Sequence, residues 1–338
     1  MIVTRTPFRI SFGGGGSDLP AFYREEPGMV LTAAIDKYVY LTVKKAFGEG
    51  YRISYSRTEL RGRIEEIEHP IVRECLKLVP APQGLEIVSI ADLPASTGMG
   101  SSGSFTVGLL GALNAMSGRV VSAAHLAENA CDIEIDRLGE PVGKQDQYIA
   151  AYGGLQFIQF LPDGSVSVDP VICPMEVRAE LSRRLLLFYT GATRVASSVL
   201  HRQNERTEVN RGNLRELCRV AREMRDVLVA GRDLNVFGHL LNEAWQLKKG
   251  LESTISNPSI DGWYAKALEA GALGGKLLGA GGGGFLLFFC EPHFQGRLKS
   301  ALADLRHVPF GFEPQGSKVI YVGDEYWANP ASSSTVTG

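Results

Sequence analysis

The sequence has no apolar run of the length that crosses a bilayer, so no membrane span is expected. Neither charge dominates: 35 lysines and arginines face 37 aspartates and glutamates, for a formal net charge of −2. A global basic field that would recruit nucleic acid or an anionic membrane is thereby excluded, although a local anion site is not. Cysteine is sparse and scattered. Cys75, Cys131, Cys173, Cys218 and Cys290 form no C-x-x-C pair and read as small buried hydrophobes of a reducing compartment. The six histidines show no metal-ligand spacing, so no zinc site is expected. The opening "MIVTRTPFRISF" lacks the cationic stretch and long apolar core of a secretory signal, which points to the cytoplasm. The Walker A pattern G-x-x-x-x-G-K-[ST] is missing too.

What the chain does have is glycine, 39 of 338 residues, in a length sufficient for two domains. The first hundred residues read mainly as strands: "MVLTAAID", "KYVYLTVKKAF", "YRISY" and "LEIVSIAD" are β-branched and aromatic, with turn residues between them. "FTVGLLGALNAMSG" has the small apolar character of a helix buried on most sides. "SAAHLAENACDIEIDRLG" follows as a second helix, with Ser122 as N-cap and Gly139 as stop. After the strand "YGGLQFIQFL" the rhythm changes near residues 165–180. "RRLLLFYTG" reads as a buried strand. "NLRELCRVAREMRDVLVAG" sets Leu214, Leu217, Ala221, Met224 and Leu228 on one helical face. Helices are expected around Val236–Leu251 and Asp261–Ala272, then the strand after "KLLGAGGGG", then a closing strand "SKVIYV". The tail 327–338 reads as disordered. Strands and helices mixed without regular βαβ alternation predict an α+β fold in two domains, 1–172 and 173–326.

Three glycine-rich loops carry the chemistry. In "LPASTGMGSSGSF" a strand leads into Gly98, Gly100, Ser101, Ser102 and Gly103, and a helix leads out. Glycines let backbone N–H groups approach an anion, and the helix start adds partial positive charge. Serine hydroxyls donate to phosphate or bind Mg²⁺. Two neighbouring patterns compete with that reading. Gly98, Gly100 and Gly103 satisfy G-x-G-x-x-G, but six residues separate them from the strand and the next element is another helix, unlike a dinucleotide fold. G-x-S-x-G is missed by one residue, at Ser104. The run "GAGGGG" at 279–284 precedes a strand and reads as a tight backbone turn packed on another loop. The third loop, "RISFGGGGSD", delivers Ser17 and Asp18 behind Gly14, Gly15 and Gly16. A phosphate cradle would want cations and donors there; a polyol wants an acceptor, and Asp18 is one.

Acids and bases gather in "EIDRLGEPVGKQDQY". Asp146 lies between Gln145 and Gln147, just after Lys144; an acid beside a cation stays ionised and accepts or orients a hydroxyl proton. Glu134, twelve residues earlier, could share a Mg²⁺ with Ser102, since that ion needs only one or two protein oxygens beside phosphate and water. Asp136 reads as readily as a solvated acid at a helix end.

Together these loops resemble the GHMP small-molecule kinases. "TPFRISFGGGGSD" is similar to that family's substrate motif, "LPASTGMGSSGSF" to its phosphate loop and "KLLGAGGGGF" to its C-terminal glycine motif, in the family's order. Met99 stands for the loop's usual leucine and Gly103 for its alanine. "GKQDQYIAAYGGLQFIQF", "LLLFYTGATR" and "GALGGKLLGAGGGGF" are similar to the branch acting on D-glycero-D-manno-heptose 7-phosphate. The resemblance implies a two-domain fold, an N-terminal α+β domain with a left-handed βαβ-type phosphate loop and a ferredoxin-like C-terminal domain. It further implies ATP and Mg²⁺ as cofactors and a sugar phosphate as partner, converted to a 1,7-bisphosphate for surface polysaccharide synthesis. By position, Asp146 takes the catalytic acid's place, with Arg9 and Lys144 beside it. Gly98, Gly100, Ser101, Ser102, Gly103 and Ser104 would hold the triphosphate, and Ser102 and Glu134 the metal. The sugar would meet Asp18, Gly14, Gly15, Gly16, Ser17, Gln145, Arg194, Gly281 and Gly282. Lys144, Arg194 and Arg202 are the cations expected at a 7-phosphate. An anomeric kinase of another sugar and a dinucleotide-dependent oxidoreductase stay open as alternatives, and a homodimer is compatible with all three.

Overall fold

The computed structural model describes residues 1–191 and 196–323, so Arg194 and the tail 327–338 lie outside the described residues. Seven strands open the chain: β1 (Ile2–Gly13), β2 (Gly28–Lys45), β3 (Tyr51–Ser54), β4 (Thr58–Arg61), β5 (Leu85–Ala91), β6 (Leu155–Phe160) and β7 (Val166–Pro170). Among them run α1 (Pro20–Tyr23), α2 (Pro70–Leu78), α3 (Ser101–Met116), α4 (Ala123–Cys131) and α5 (Gln145–Tyr152). The two strands expected at "MVLTAAID" and "KYVYLTVKKAF" are one long β2. Its pairing with β1 slips between Pro7 and Phe8, which face Tyr38 and Ile35, so a bulge at Asp36–Lys37 absorbs the polar pair without ending the strand.

Helix α3 crosses β1 and β2 at close range. Its small residues allow this: the Gly108 carbonyl accepts from Thr4 Oγ1 at 3.0 Å, a contact that a larger residue's side chain would hold apart. Ser122 caps α4 by accepting from His125 N, as expected. The helix then widens into a π-turn over Asp132–Arg137, a form often found at functional sites.

The second half contributes α6 (Met175–Arg184), β8 (Leu185–Tyr189), α7 (Ala196–Glu205), α8 (Thr207–Ala230), α9 (Asn235–Lys249), α10 (Pro258–Glu269), β9 (Ala272–Leu277), β10 (Phe285–Cys290), α11 (Gln295–Ala301) and β11 (Arg306–Val308). Its four strands pair antiparallel in the order β11-β8-β10-β9, the ferredoxin-like arrangement. The expected face of α8 is buried at Leu214, Leu217, Ala221, Met224 and Leu228, and the helix also packs on β1 and β2. α10 starts three residues earlier than its periodicity suggests, because the Asn257 side chain accepts from Ile260 N and Pro258 sets the first turn.

The last strand, β12 (Lys318–Val322), corrects the division of the chain at 172/173. It pairs antiparallel with β1 and completes the first sheet, in the order β12-β1-β2-β5-β3-β4 with β6 and β7 branching from β2. Alternating apolar residues announce a strand but not the sheet it joins. Cys75, Cys131, Cys218 and Cys290 are buried free thiols, and Cys173 is half-buried.

Candidate active site

The cleft where the two sheets' loops meet is organised by one ion pair. Arg9 reaches from β1 to Asp146 in the first turn of α5: its Nε donates to Oδ1 at 2.7 Å and its Nη2 to Oδ2 at 2.9 Å. Nη1 donates to the Gly98 carbonyl at 2.6 Å, which ties the same guanidinium to the glycine loop. A planar, bidentate donor of this kind fixes a carboxylate's orientation as well as its charge. Arg9 is buried, while a quarter of the Asp146 side chain faces the cleft. The cation beside Asp146 is therefore Arg9. Lys144 does not fill that role: its Nζ donates to the Gly164 carbonyl at 2.8 Å and sits 4.8 Å from the Tyr23 ring centre.

The phosphate loop is built as expected only in part. Gly100 caps α3 in the left-handed conformation, and Ser101 and Ser102 line the cleft with Gly98 and Gly100. Gly103 and Ser104 face away. Gly103 is buried with its Cβ position against the backbone of Asp146, and Ser104 Oγ donates to the Pro7 carbonyl at 2.8 Å, so both residues dock the helix. Behind Gly98 lies the second glycine run: a Cβ on Gly98 would fall 2.4 Å from the Leu278 carbonyl oxygen. That close approach, with φ at +79°, is why the position is glycine. The packed-turn reading of 279–284 thus holds, whereas Gly281 and Gly282 are not in the cleft wall. Gly282 N donates to the Ile255 carbonyl at 3.0 Å, and it is Gly279 and Ala280 that face the cleft. Among the described residues α3 leads to α4 and not to a second parallel strand, so this loop does not open a dinucleotide fold.

Opposite the phosphate loop, Asp18 is buried and accepts from Gly16 N at 2.8 Å and from Gln145 Nε2 at 3.0 Å. Burial pushes its carboxyl above the usual range, with the Asp146 charge adding to the effect and the backbone donors opposing it. Gly15, Gly16, Asp18 and Gln145 line the cleft. Gly14 and Ser17 do not: Ser17 Oγ donates to the Gly14 carbonyl at 2.8 Å and accepts from Met29 N at 2.9 Å, pinning the loop to β2.

Glu134 rises from the π-turn into the cleft floor beside Ser102. Burial raises its pKa to about 7, opposed by the nearby Ser102 and Thr106 hydroxyls and by Gln147, whose Nε2 donates to Oε1 at 3.0 Å. A buried carboxyl with hydroxyl and amide neighbours and no cation within its set fits a divalent metal, whose charge would restore the ionised form.

Two lysines in the cleft wall are invisible in the sequence. Lys248 ends α9 in "QLKKG", where a helix-terminal pair reads as solvated charge, yet it is buried with its Nζ on the Gly279 carbonyl at 2.6 Å. Burial and the nearby Arg9 lower its pKa to about 8. Lys276, inside β9, donates to the Phe12 carbonyl at 3.0 Å, and burial pushes its pKa well down. Gln203 and Ser11 also line the cleft. Arg202 instead pairs with Glu252 at 3.4 Å and donates to Thr254 at 2.9 Å.

Comparison with known proteins agrees with this architecture. Residues 41–154 match the GHMP kinases N terminal domain and residues 208–304 the GHMP kinases C terminal domain. The D-glycero-alpha-D-manno-heptose 7-phosphate kinase of Campylobacter jejuni is 29% identical over 94% of this chain and 98% of its own. The bifunctional fucokinase/GDP-fucose pyrophosphorylase of Arabidopsis thaliana is 28% identical over 84% of this chain and 29% of that longer one. A crystal structure of a D-glycero-D-manno-heptose 1-phosphate kinase from Bacteroides thetaiotaomicron shares the fold at a TM-score of 0.79, with 24% identity over 96% of this chain and 100% of that one. Matched in both halves and in the family's order, the chain belongs to the GHMP kinase family.

Proposed function

We propose that this kinase transfers the γ-phosphoryl group of ATP to the anomeric hydroxyl of D-glycero-D-manno-heptose 7-phosphate, yielding a 1,7-bisphosphate used to make nucleotide-activated heptose for surface polysaccharide. The observation that carries this reading is the Arg9–Asp146 pair, set between a glycine-serine loop and a wall that ends in Asp18 and Gln145. Phosphoryl transfer needs positioning and charge neutralisation more than covalent help. Asp146 receives or orients the proton of the attacking hydroxyl, whose oxygen bonds to the γ-phosphorus as the bridge to the β-phosphate breaks. An anomeric hydroxyl is more acidic than an ordinary alcohol, so a carboxylate is a better-matched base there. Arg9 holds the carboxylate in place, and Asp18 with Gln145 holds the polyol. Ser102 and Glu134 would hold Mg²⁺, which neutralises phosphate charge when bound.

An anomeric kinase of an unphosphorylated sugar is the second reading. It is favoured by the two expected phosphate cations among the described residues: Lys144 is turned to Gly164 and Arg202 is paired with Glu252. An ADP-release screen over heptose 7-phosphate, heptose, L-fucose, galactose and mannose separates the two. Fastest turnover with heptose 7-phosphate is expected. Fastest turnover with an unphosphorylated sugar selects the second reading. No sugar-dependent ADP release, with stabilisation by NAD(H) but not by Mg-ATP, overturns both.

A further inference from the structure

Gly15 has no backbone reason to be glycine. Its neighbours Gly14 and Gly16 need their left-handed φ of +86° and +106°, but Gly15 has no such φ. A Cβ placed on it would meet nothing closer than 3.6 Å. What surrounds that point is polar: Gln145 Nε2 at 3.6 Å, Ser11 Oγ at 3.7 Å and Lys248 Nζ at 3.9 Å. Ser11 Oγ, in a residue only 5% exposed, has no hydrogen-bond partner, and Gln145 Nε2 spends one N–H on Asp18 Oδ2 and has a second. Lys248 uses one ammonium N–H on the Gly279 carbonyl and has two more. Buried polar atoms are rarely left unmatched, so the gap over Gly15 is short of a partner that both donates and accepts.

We propose that this gap seats a ring hydroxyl of the acceptor, and that Lys248 and Ser11 are the residues that select it. The inference rests on the sugar-kinase reading and adds a cross-cleft contact to it, since Lys248 comes from α9 and the other groups from the first half of the chain. A hydroxyl accepts from the ammonium or from the Gln145 amide N–H and donates to Ser11 Oγ. A phosphate has no proton to give Ser11 Oγ and would stand beside the Asp18 carboxylate, which accepts from the same Gln145 Nε2. The chemistry of the gap therefore favours a neutral polyol oxygen over an anion.

The test uses the full chain, the fastest acceptor from the ADP-release screen and its monodeoxy analogues. Lys248→Met is expected to raise the acceptor KM roughly 10- to 100-fold, the range for losing a hydrogen bond to a charged group, while the KM for ATP stays within about twofold. One deoxy analogue, poor with the wild type, should be no worse than the parent sugar with Lys248→Met, because the same contact is missing from both. Gly15→Ala, which fills the gap without straining the loop, should raise the acceptor KM at an unchanged melting temperature and carries the test if Lys248→Met melts early. Equal penalties for the parent and every deoxy analogue, or an unchanged acceptor KM in both variants, would overturn the proposal. So would a loss confined to a phosphorylated acceptor relative to its unphosphorylated form. If the wild type phosphorylates no sugar, the underlying reading fails and takes the subsite with it, a result distinct from turnover without the deoxy pattern.

Discussion

Asp146 and Glu134 show how neighbours divide the work of two acids in one cleft. Asp146 is clamped by a guanidinium, so its oxygens point where Arg9 sets them. Asp146→Asn keeps the shape and removes the charge; kcat should fall at least ~100-fold, the lower end for a general base, with the acceptor KM little changed in steady-state assays. Glu134 has no such cation, and burial lifts its pKa from 4.5 to about 7. A raised carboxyl pKa means that the fold favours the protonated form. Its contribution is complete below pH 4.5 and lost as pH climbs through 7. In EDTA, the wild type should therefore lose up to roughly 3 kcal/mol relative to Glu134→Gln between about pH 4.5 and 8, as read by urea unfolding. A flat difference across that range would count against the assignment. At this scale the sequence was informative about acids and poor about cations. Asp18 and Asp146 stand out by their glycine and glutamine neighbours, and Glu134 by its place twelve residues before Asp146 in the same acid-rich stretch. Lys248 looks like any helix-end lysine, because its burial is created by a carbonyl 31 residues later in the chain.

Among the elements, the two glycine loops behave as one part, the turn at 279 filling the space behind Gly98. Gly98→Ala would put a methyl group into the Leu278 carbonyl at a left-handed φ, so the loops must separate. Thermal melting should drop and ATP affinity should fall with it. Gly212 in α8 is the matched control: nothing lies within 4 Å of its Cβ position, and its φ is helical. Gly212→Ala should raise stability by about 0.5–1 kcal/mol with no change in ATP binding. Element types were legible from the sequence wherever a helix or strand carried its own signal, as in α8 with its apolar face. Contacts between loops were less so. Four of the glycine-run residues expected to touch sugar or phosphate (Gly14, Gly103, Gly281 and Gly282) are outside the cleft lining, and a glycine's spacing does not distinguish a ligand's approach from a neighbouring backbone's.

For the whole molecule, the two halves are joined by more than a linker. Arg211 and Arg215 of α8 both pair with Glu26, at 3.1 and 2.7 Å, and Lys276 of β9 bonds the Phe12 carbonyl. Calorimetry should accordingly give one cooperative transition for the full chain, and deleting residues 318–323 should lower the midpoint and expose the β1 edge to pairing with other chains, detectable as aggregation by light scattering. Two resolved transitions would contradict this coupling. Composition and motifs revealed both halves but not their interlock, which depends on where a final strand lands. That landing has a consequence during synthesis. β1 leaves the ribosome some three hundred residues ahead of its outer neighbour. At about 5–20 residues per second, the leading sheet waits on the order of tens of seconds for its edge. Chaperone demand should therefore fall on the nascent N-terminal half, and a codon change that slows translation late in the message would lengthen the wait without altering a single residue.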